Sequence, residues 1–335
     1  MGRAELRTKD AKVTLKDIGR KLNLSARAVS SGLNDSGRLA PETRKKIIET
    51  ARAMGYIPNA AARSLVTHHS NFIGVLIPYL NKSFFCNIIE GIEEITGENG
   101  FMLLLDSLVK TDSEKKERVL FSLMQRDVDG IILYPRREDL EMAPLVRSMG
   151  VPVVQVMEHF SEFGEYAVTM DNFKSACDAV NHLLERGHSR IACLMHDAEN
   201  FVQKERLRGY LAAMGDRPAV WRSCLMSLES GWAATREILK AEPDVTAVFA
   251  CSDFAALGAL RAALEMGRRV PEQFAVVGFS DVDMAANQAL YPLSTVSQPK
   301  EETGRRAARM LLDLLRGNRT ESVCLEAPLV IRKSS

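Results

Sequence analysis

No apolar run in the chain approaches the roughly 18 to 20 residues that a bilayer-crossing helix needs. Runs such as residues 101–105 are far shorter. The first residues are charged (Arg3, Glu5, Arg7, Lys9, Asp10) and no apolar stretch follows them at once, so a secretory signal is not expected and the cytoplasm is the default compartment. There are six cysteines and no C-x-x-C pair, which argues against a zinc site or a disulfide framework. Most of the six lie in apolar surroundings, as at Cys193 and Cys251, and read as small buried hydrophobes. Catalytic signatures are missing too: no G-x-G-x-x-G after a strand, no G-x-x-x-x-G-K-[ST] and no G-x-S-x-G. Gly278-Phe-Ser280-Asp281 lacks the last glycine of a nucleophile elbow. His182 and His188 are six apart, roughly 240° round a helix that Gly187 ends, so they read as a solvated helix end rather than an i, i+4 metal pair. Low-complexity segments are absent. No metal or cofactor is expected, and no enzyme activity.

What the chain does have is 335 residues, 46% of them apolar and 26% charged, an ordinary globular balance with room for two or three domains. The net charge of +1 conceals a division. Residues 1–69 carry 14 Lys+Arg against 6 Asp+Glu, or +8, and the rest of the chain carries −7. A basic head on an acidic body calls for a polyanionic partner at the head alone.

Residues 1–12 are polar and aperiodic and read as a mobile arm. Thr14 then serves as N-cap, with Asp17 three residues on, for a helix whose apolar face holds Leu15, Ile18 and Leu22. Ser25 caps a second helix over 26–33, with Val29 and Leu33 inward. Pro41 opens a third that runs to about Met54 and stops at Gly55. Three short helices, the first two joined by a tight turn, make a helix-turn-helix candidate. A short helix is expected over 60–67. From Phe72 onward strand and helix signals alternate. Strands are expected at 72–77, 101–105, 130–134, 153–156, 166–170, 190–195, 247–250 and 274–279. Helices are expected at 84–99, 113–125, 140–149, 174–186, 203–214, 230–241, 254–266 and 300–316. The segment 322–330 reads as an extended tail. The irregular stretch 158–165 separates two blocks, which implies two doubly wound parallel α/β subdomains with a ligand site in the cleft beyond the carboxyl ends of their strands.

Here the residues carry a resemblance. Val13-Thr-Leu-Lys-Asp-Ile-Gly, Leu24-Ser25, Val29-Ser30 and Leu33-Asn34 resemble the headpiece of the lactose-repressor/galactose-repressor family of bacterial transcription regulators. Tyr56-Ile-Pro58-Asn59 with Ala62-Arg63-Ser64-Leu65 resembles that family's hinge helix. The likeness continues through Asp171-Asn172, Arg206-Leu-x-Gly209-Tyr210, Asp253-x-x-Ala256-Leu-Gly258 and Pro292-Leu-Ser-Thr-Val-x-Gln298-Pro299. It runs from Val13 to Arg332. It implies an arm at 1–12, a helix-turn-helix domain at 13–58, a hinge at 59–70, and a periplasmic-binding-protein-like effector-binding and dimerisation domain at 71–335. Within the last, one subdomain would hold about 71–170 and 297–325, the other 171–296 and 326–335.

The resemblance also implies roles. Thr14, Ser25, Ser30 and Asn34 would meet DNA around the second helix. Ala26, Arg27 and Ser31 would read base edges, with Arg27 suited to a bidentate guanine contact. Tyr56, Asn59, Ala62 and Arg63 would flank a hinge that orders when two copies meet in the minor groove, with Leu65 as wedge. The family usually has threonine at Ala28 and a basic residue at Ser31, so the operator half-site is expected to differ. Without a heptad tail after Arg332, a homodimer is expected, on a palindromic double-stranded operator. In the effector cleft the resemblance assigns Phe84, Phe85, Glu158, Asp171, Arg206, Ser252 and Ser280. Three of the family's polar positions are changed: Met157 replaces an acid, with Glu158 displaced by one, Ser252 replaces an asparagine, and Ser280 replaces an acid. Arg206 with few carboxylates favours an anionic effector, or a nucleoside-like ring stacked on Phe84 or Phe85; a one-residue bulge that returned Glu158 to the cleft would restore a neutral sugar. The rival readings are a solute-binding protein and an α/β enzyme with a regulatory head. The first conflicts with the basic head and the second has no catalytic constellation.

Overall fold

The computed structural model describes residues 13–34, 39–57, 69–80, 82–108, 112–196, 201–288 and 291–335. The chain divides into two compact units, residues 1–70 and 71–335.

The first unit holds α1 (Leu15–Leu22), α2 (Ala26–Leu33) and α3 (Pro41–Ala53). Thr14 and Asp17 form the capping box that their spacing predicts. The Thr14 hydroxyl accepts from the Asp17 amide (3.4 Å), and the Asp17 carboxylate accepts from the Thr14 amide (2.9 Å). Asn23 takes the left-handed conformation (φ 54) that ends α1. Gly19 lets the turn close on α2, because a Cβ there would collide with the Leu24 carbonyl. Ile18, Val29, Ile47 and Ala51 form the core, with Leu15, Leu22, Leu33 and Tyr56 packed around it.

The second unit begins with β1 (Phe72–Ile77), α4 (Ser83–Glu98), β2 (Met102–Ser107), α5 (Ser113–Gln125) and β3 (Gly130–Leu133). A 3-10 turn, Arg137–Met142, then leads into α6 (Ala143–Ser148), β4 (Val153–Val156) and β5 (Tyr166–Met170). The expected single helix over 140–149 is thus divided. Pro144, in the first turn of α6, has no amide to extend a preceding helix, and Asp139 draws the 3-10 turn onto Arg136 (2.9 Å to Nε). The chain continues through α7 (Asn172–Glu185), β6 (Ile191–Met195), α8 (Phe201–Met214), β7 (Val220–Ser223), α9 (Leu228–Ala241), β8 (Ala247–Ala250), α10 (Asp253–Glu265) and β9 (Ala275–Phe279). It ends with β10 (Ser294–Val296), α11 (Lys300–Leu315), β11 (Val323–Leu325) and β12 (Leu329–Val330).

Two six-stranded sheets result, in the orders β2-β1-β3-β4-β5-β11 and β7-β6-β8-β9-β10-β12. The first is parallel throughout; in the second, β12 alone runs antiparallel, against β10. Strand β5 pairs with β4, so it belongs to the first sheet and does not open the second block after 158–165; the crossing follows Met170. The expected tail at 322–330 is two strands, one on each sheet. Strands β7 and β10 had no periodic signal of their own. At β7 tertiary contacts supply what four residues lack: the Tyr210 hydroxyl accepts from the Val220 amide (2.9 Å) and donates to the Ile191 carbonyl (2.8 Å).

Helices α4 and α11 cover one face of the first sheet and α5 and α6 the other. Helices α7 and α8 cover one face of the second sheet, α9 and α10 the other. One continuous cluster, from Ile88 and Leu311 through Val168 to Val180 and Phe249, runs through both lobes. At about 1.5–3 kcal/mol for each fully buried large aliphatic or aromatic side chain, these cores dominate the stability of the body. Among the described residues no helix is long and apolar enough to cross a membrane.

Candidate DNA-reading and effector sites

In the first unit, Ser25 caps α2 by accepting from the Ala28 amide (3.1 Å), which satisfies one of the amides that the first turn of a helix leaves without a helical partner. Arg27 is exposed on that turn. Ala26, Ser30 and Ser31 are half-buried on α2, and the Asn34 side-chain amide donates to the Ser30 hydroxyl (3.3 Å). Thr14 is exposed beside its capping partner. The Tyr56 ring packs on the headpiece core, so its first role is structural. Asn59, Ala62, Arg63 and Leu65 lie outside the described residues.

In the second unit, the carboxyl ends of both sheets supply the remaining groups. Phe84 and Phe85 open α4 just after β1. Their rings meet edge to face at 5.1 Å, and Tyr134, just past β3, meets Phe85 at 5.5 Å. Glu158 follows β4 and is 2% exposed. From the second lobe, Arg206 of α8 is buried. Its Nε donates to the Asn172 side-chain oxygen and its Nη1 to the Cys251 carbonyl, each at 2.9 Å, and its guanidinium lies 3.7 Å from the centre of the Phe279 ring. Burial weakens the guanidinium's hold on its proton, opposed by the fields of Cys251, Tyr134, Glu158 and Asp253. Burial, reinforced by Glu158, pushes the Tyr134 hydroxyl well above the usual phenol range.

The other assigned residues hold the frame. Asp171 is exposed and caps α7, accepting from the Lys174 amide (2.8 Å). Ser252 caps α10 on the Ala255 amide (3.2 Å). Ser280 stands in a glycine-favouring conformation (φ 133) and donates to the Gln298 side-chain oxygen (3.0 Å). Lys300 donates to the carbonyls of Ser280 (2.7 Å) and Asp281 (2.9 Å), while Asp281 pairs with Arg332 (2.8 Å). Asp253 accepts from Thr295 Oγ1 (2.5 Å) and the Val282 amide (2.8 Å), and burial raises its pKa.

Tyr134, Asn172 and Phe279 carried no sequence assignment of their own. The latter two lie inside quoted motifs, Asp171-Asn172 and Gly278-Phe-Ser280, whereas Tyr134 gave no signal. His182 and His188, expected to be solvated, are half-buried and bond to Ser335 Oγ (2.9 Å) and Thr246 Oγ1 (3.0 Å). Among the described residues no group of three or more His, Cys, Asp or Glu is placed to hold a metal ion. The cysteines are all unpaired, with Cys324 exposed.

A capped helix-turn-helix and a two-lobed body with a buried arginine at its strand ends define the class: a DNA-reading head on a small-molecule-binding body of the periplasmic type. The model of the periplasmic binding protein-like domain matches residues 180–335. The transcriptional repressor CytR of Escherichia coli strain K12 is 31% identical over 330 residues, 96% of each chain. The transcriptional regulator CelR of Thermobifida fusca is 33% identical over 96% of this chain and 98% of its own. Among solved structures, the lac repressor dimer bound to operator and the anti-inducer ONPF superposes with a TM-score of 0.86 at 25% identity, over 96% of this chain and 99% of that one. The chain belongs to the lactose-repressor/galactose-repressor (LacI/GalR) family. Its relatives are transcription regulators, not enzymes.

Proposed function

We propose that this chain is a cytoplasmic repressor that binds a palindromic operator as a homodimer and is controlled by a small molecule held between its two α/β lobes. One observation carries the reading. A doubly capped helix-turn-helix with an exposed arginine on α2 shares a chain with a two-lobed body, in a sequence that aligns with a known repressor over 96% of its length. Thr14, Ser25, Ser30 and Asn34 position the head on phosphates, and Arg27, with Ala26 and Ser31 beside it, reads bases. Tyr56, Asn59, Ala62, Arg63 and Leu65 belong to the hinge, within the domain limits 13–58, 59–70 and 71–335. Phe84, Phe85, Glu158 and Arg206 face the effector, and Asp171, Ser252 and Ser280 hold the loops that carry it. The solved CelR–cellobiose complex, at a TM-score of 0.71, supports a cleft that takes a small molecule.

The test is selection of duplexes from random DNA by the full-length chain. The expected product is a palindrome with half-sites roughly one helical turn apart. Arg27→Ala should then cost on the order of 1–3 kcal/mol of discrimination at one base pair per half-site. Failure to enrich any palindrome would overturn the reading, and uniform loss across all sequences would reduce Arg27 to a phosphate contact.

A further inference from the structure

We propose that Lys300 is a strut that sets the resting angle between the two lobes of the body. Standing in the first turn of α11, on the first lobe, it holds the strand-end turn Ser280–Asp281 of the second lobe by its backbone. This coupling belongs to the body alone and does not depend on what the head binds.

The chain crosses between the lobes three times: after Met170, between β10 and α11, and between β11 and β12. The crossings are bonded to one another. The Gln298 side-chain amide donates to Met170 Sδ (3.2 Å), and the Ser297 amide donates to the Pro328 carbonyl (2.8 Å). Bonds within this strip lie on the line about which the lobes would turn, so they oppose a change of angle weakly. Lys300 reaches past the strip. It opens α11, and its Nζ donates to the carbonyls of Ser280 (2.7 Å) and Asp281 (2.9 Å), beyond the end of β9 in the second sheet. One side chain of the first lobe thus bonds two consecutive carbonyls of the other.

The turn it holds needs holding. Ser280 (φ 133) and Asp281 (φ 55) are successive residues with side chains in the region that favours glycine, a conformation that persists where the surroundings over-determine it. The Ser280 amide donates to the Val296 carbonyl (2.9 Å), the Ser280 hydroxyl to the Gln298 side-chain oxygen (3.0 Å), and the Asp281 carboxylate pairs with Arg332 (2.8 Å). Of the groups bonded to this turn, Lys300 is the one carried by a helix of the first lobe, and as a charged donor it makes the stronger kind of hydrogen bond. Lys300 is itself half-buried. Burial weakens its hold on the proton, opposed by the fields of Asp281, Asp253, Glu301 and Asp283. A rotation that parted α11 from the turn would leave a partly desolvated ammonium and two carbonyls without partners, which opposes that rotation. The turn also begins one residue after Phe279, whose ring lies 3.7 Å from the Arg206 guanidinium. Ring, turn and strut form one continuous path from the buried arginine to α11.

The test is the distance between two spin labels on the full-length protein without DNA. The labels are carried by a noncanonical amino acid, so that all six cysteines remain. One replaces the exposed Glu117 of α5 and the other the exposed Glu237 of α9; a control pair, Glu237 with the exposed Asp216, lies within the second lobe. Labelled chains are diluted into unlabelled ones, so that only distances within one chain count. Lys300→Met keeps the reach of the side chain and removes the donor. It should shift or broaden the interlobe distance by roughly 2 Å or more and leave the control pair unchanged. Lys300→Arg, which keeps a cation, should keep the unaltered distance. An unchanged interlobe distance in a folded Lys300→Met overturns the strut. So does an equal shift in Lys300→Arg, or a control pair that moves as far as the interlobe pair, which would make Lys300 a local brace of its neighbours. Should Lys300→Met fail to fold, Lys300→Gln, uncharged and one bond shorter, gives the second reading: the same interlobe shift supports the strut and no shift overturns it.

Discussion

The two lobes of the body repeat one topology with different chemistry. Each winds five strands in the spatial order second, first, third, fourth, fifth and adds a sixth from the end of the chain. The sixth strands differ in direction. β11 follows helix α11, which turns the chain round so that it enters parallel to β5. β12 arrives straight from β11 through residues 326–328, with no helix between, and enters antiparallel to β10. The lips differ more. The first lobe offers an aromatic wall and, next to a left-handed residue at Met157, a buried carboxylate at Glu158. The second offers an arginine braced by an amide, a carbonyl and a ring, with its acids spent on its own loops. Backbone pairing and burial repeat with the topology, whereas binding chemistry depends on side chains at strand ends, where the sheet places no demand on residue type.

The largest expected effect comes from a substitution in the second lobe. Asp253→Ala leaves the Thr295 hydroxyl and the Val282 amide without their acceptor in a dry interior, at a cost of about 2–4 kcal/mol. Urea unfolding followed by tryptophan fluorescence measures it, since both tryptophans, Trp221 and Trp232, lie in that lobe. The counterpart in the first lobe is Gly91→Ala. A Cβ there would run into the Glu301 backbone, where α4 and α11 cross, for about 1–3 kcal/mol. Because one core cluster runs through both lobes, the tryptophan signal should shift together with far-UV circular dichroism; separate midpoints would show that the lobes unfold independently. A smaller effect belongs to the head. Ser25→Ala should destabilise α2 by about 1 kcal/mol, lowering headpiece amide protection in hydrogen exchange while both lobes keep theirs.

The smallest effect follows pH. Burial, aided by Arg186, lowers the pKa of His182 and of His188 below the ordinary 6.5. A depressed folded pKa contributes stability that is present above 6.5 and lost as pH falls through the folded value, because the unfolded chain then binds more protons. The body should therefore melt earlier at pH 5.5 than at pH 7.5. Replacing both histidines with glutamine should lessen that difference; an unchanged difference would place the sensitivity elsewhere.

Periodicity, caps and turn residues carried most of the architecture. Thr14 with Asp17, Ser25, Pro41 and Gly55 marked the headpiece because capping is a contact between residues three or four apart. The parallel strands were legible because burial on both faces demands apolar runs. Arg206, Phe84, Phe85 and Glu158 were named only by what the family resemblance implies. Periodicity alone could not assign β5 to the first sheet or divide residues 322–330 between two sheets, divisions that only the resemblance set, near 170 and 325, and nothing in the sequence placed Tyr134 beside Phe85. Each of those depends on partners far away in the chain. Nor could the sequence foresee the left-handed backbone at Met157 (φ 70), whose side chain packs into a core to which both lobes contribute.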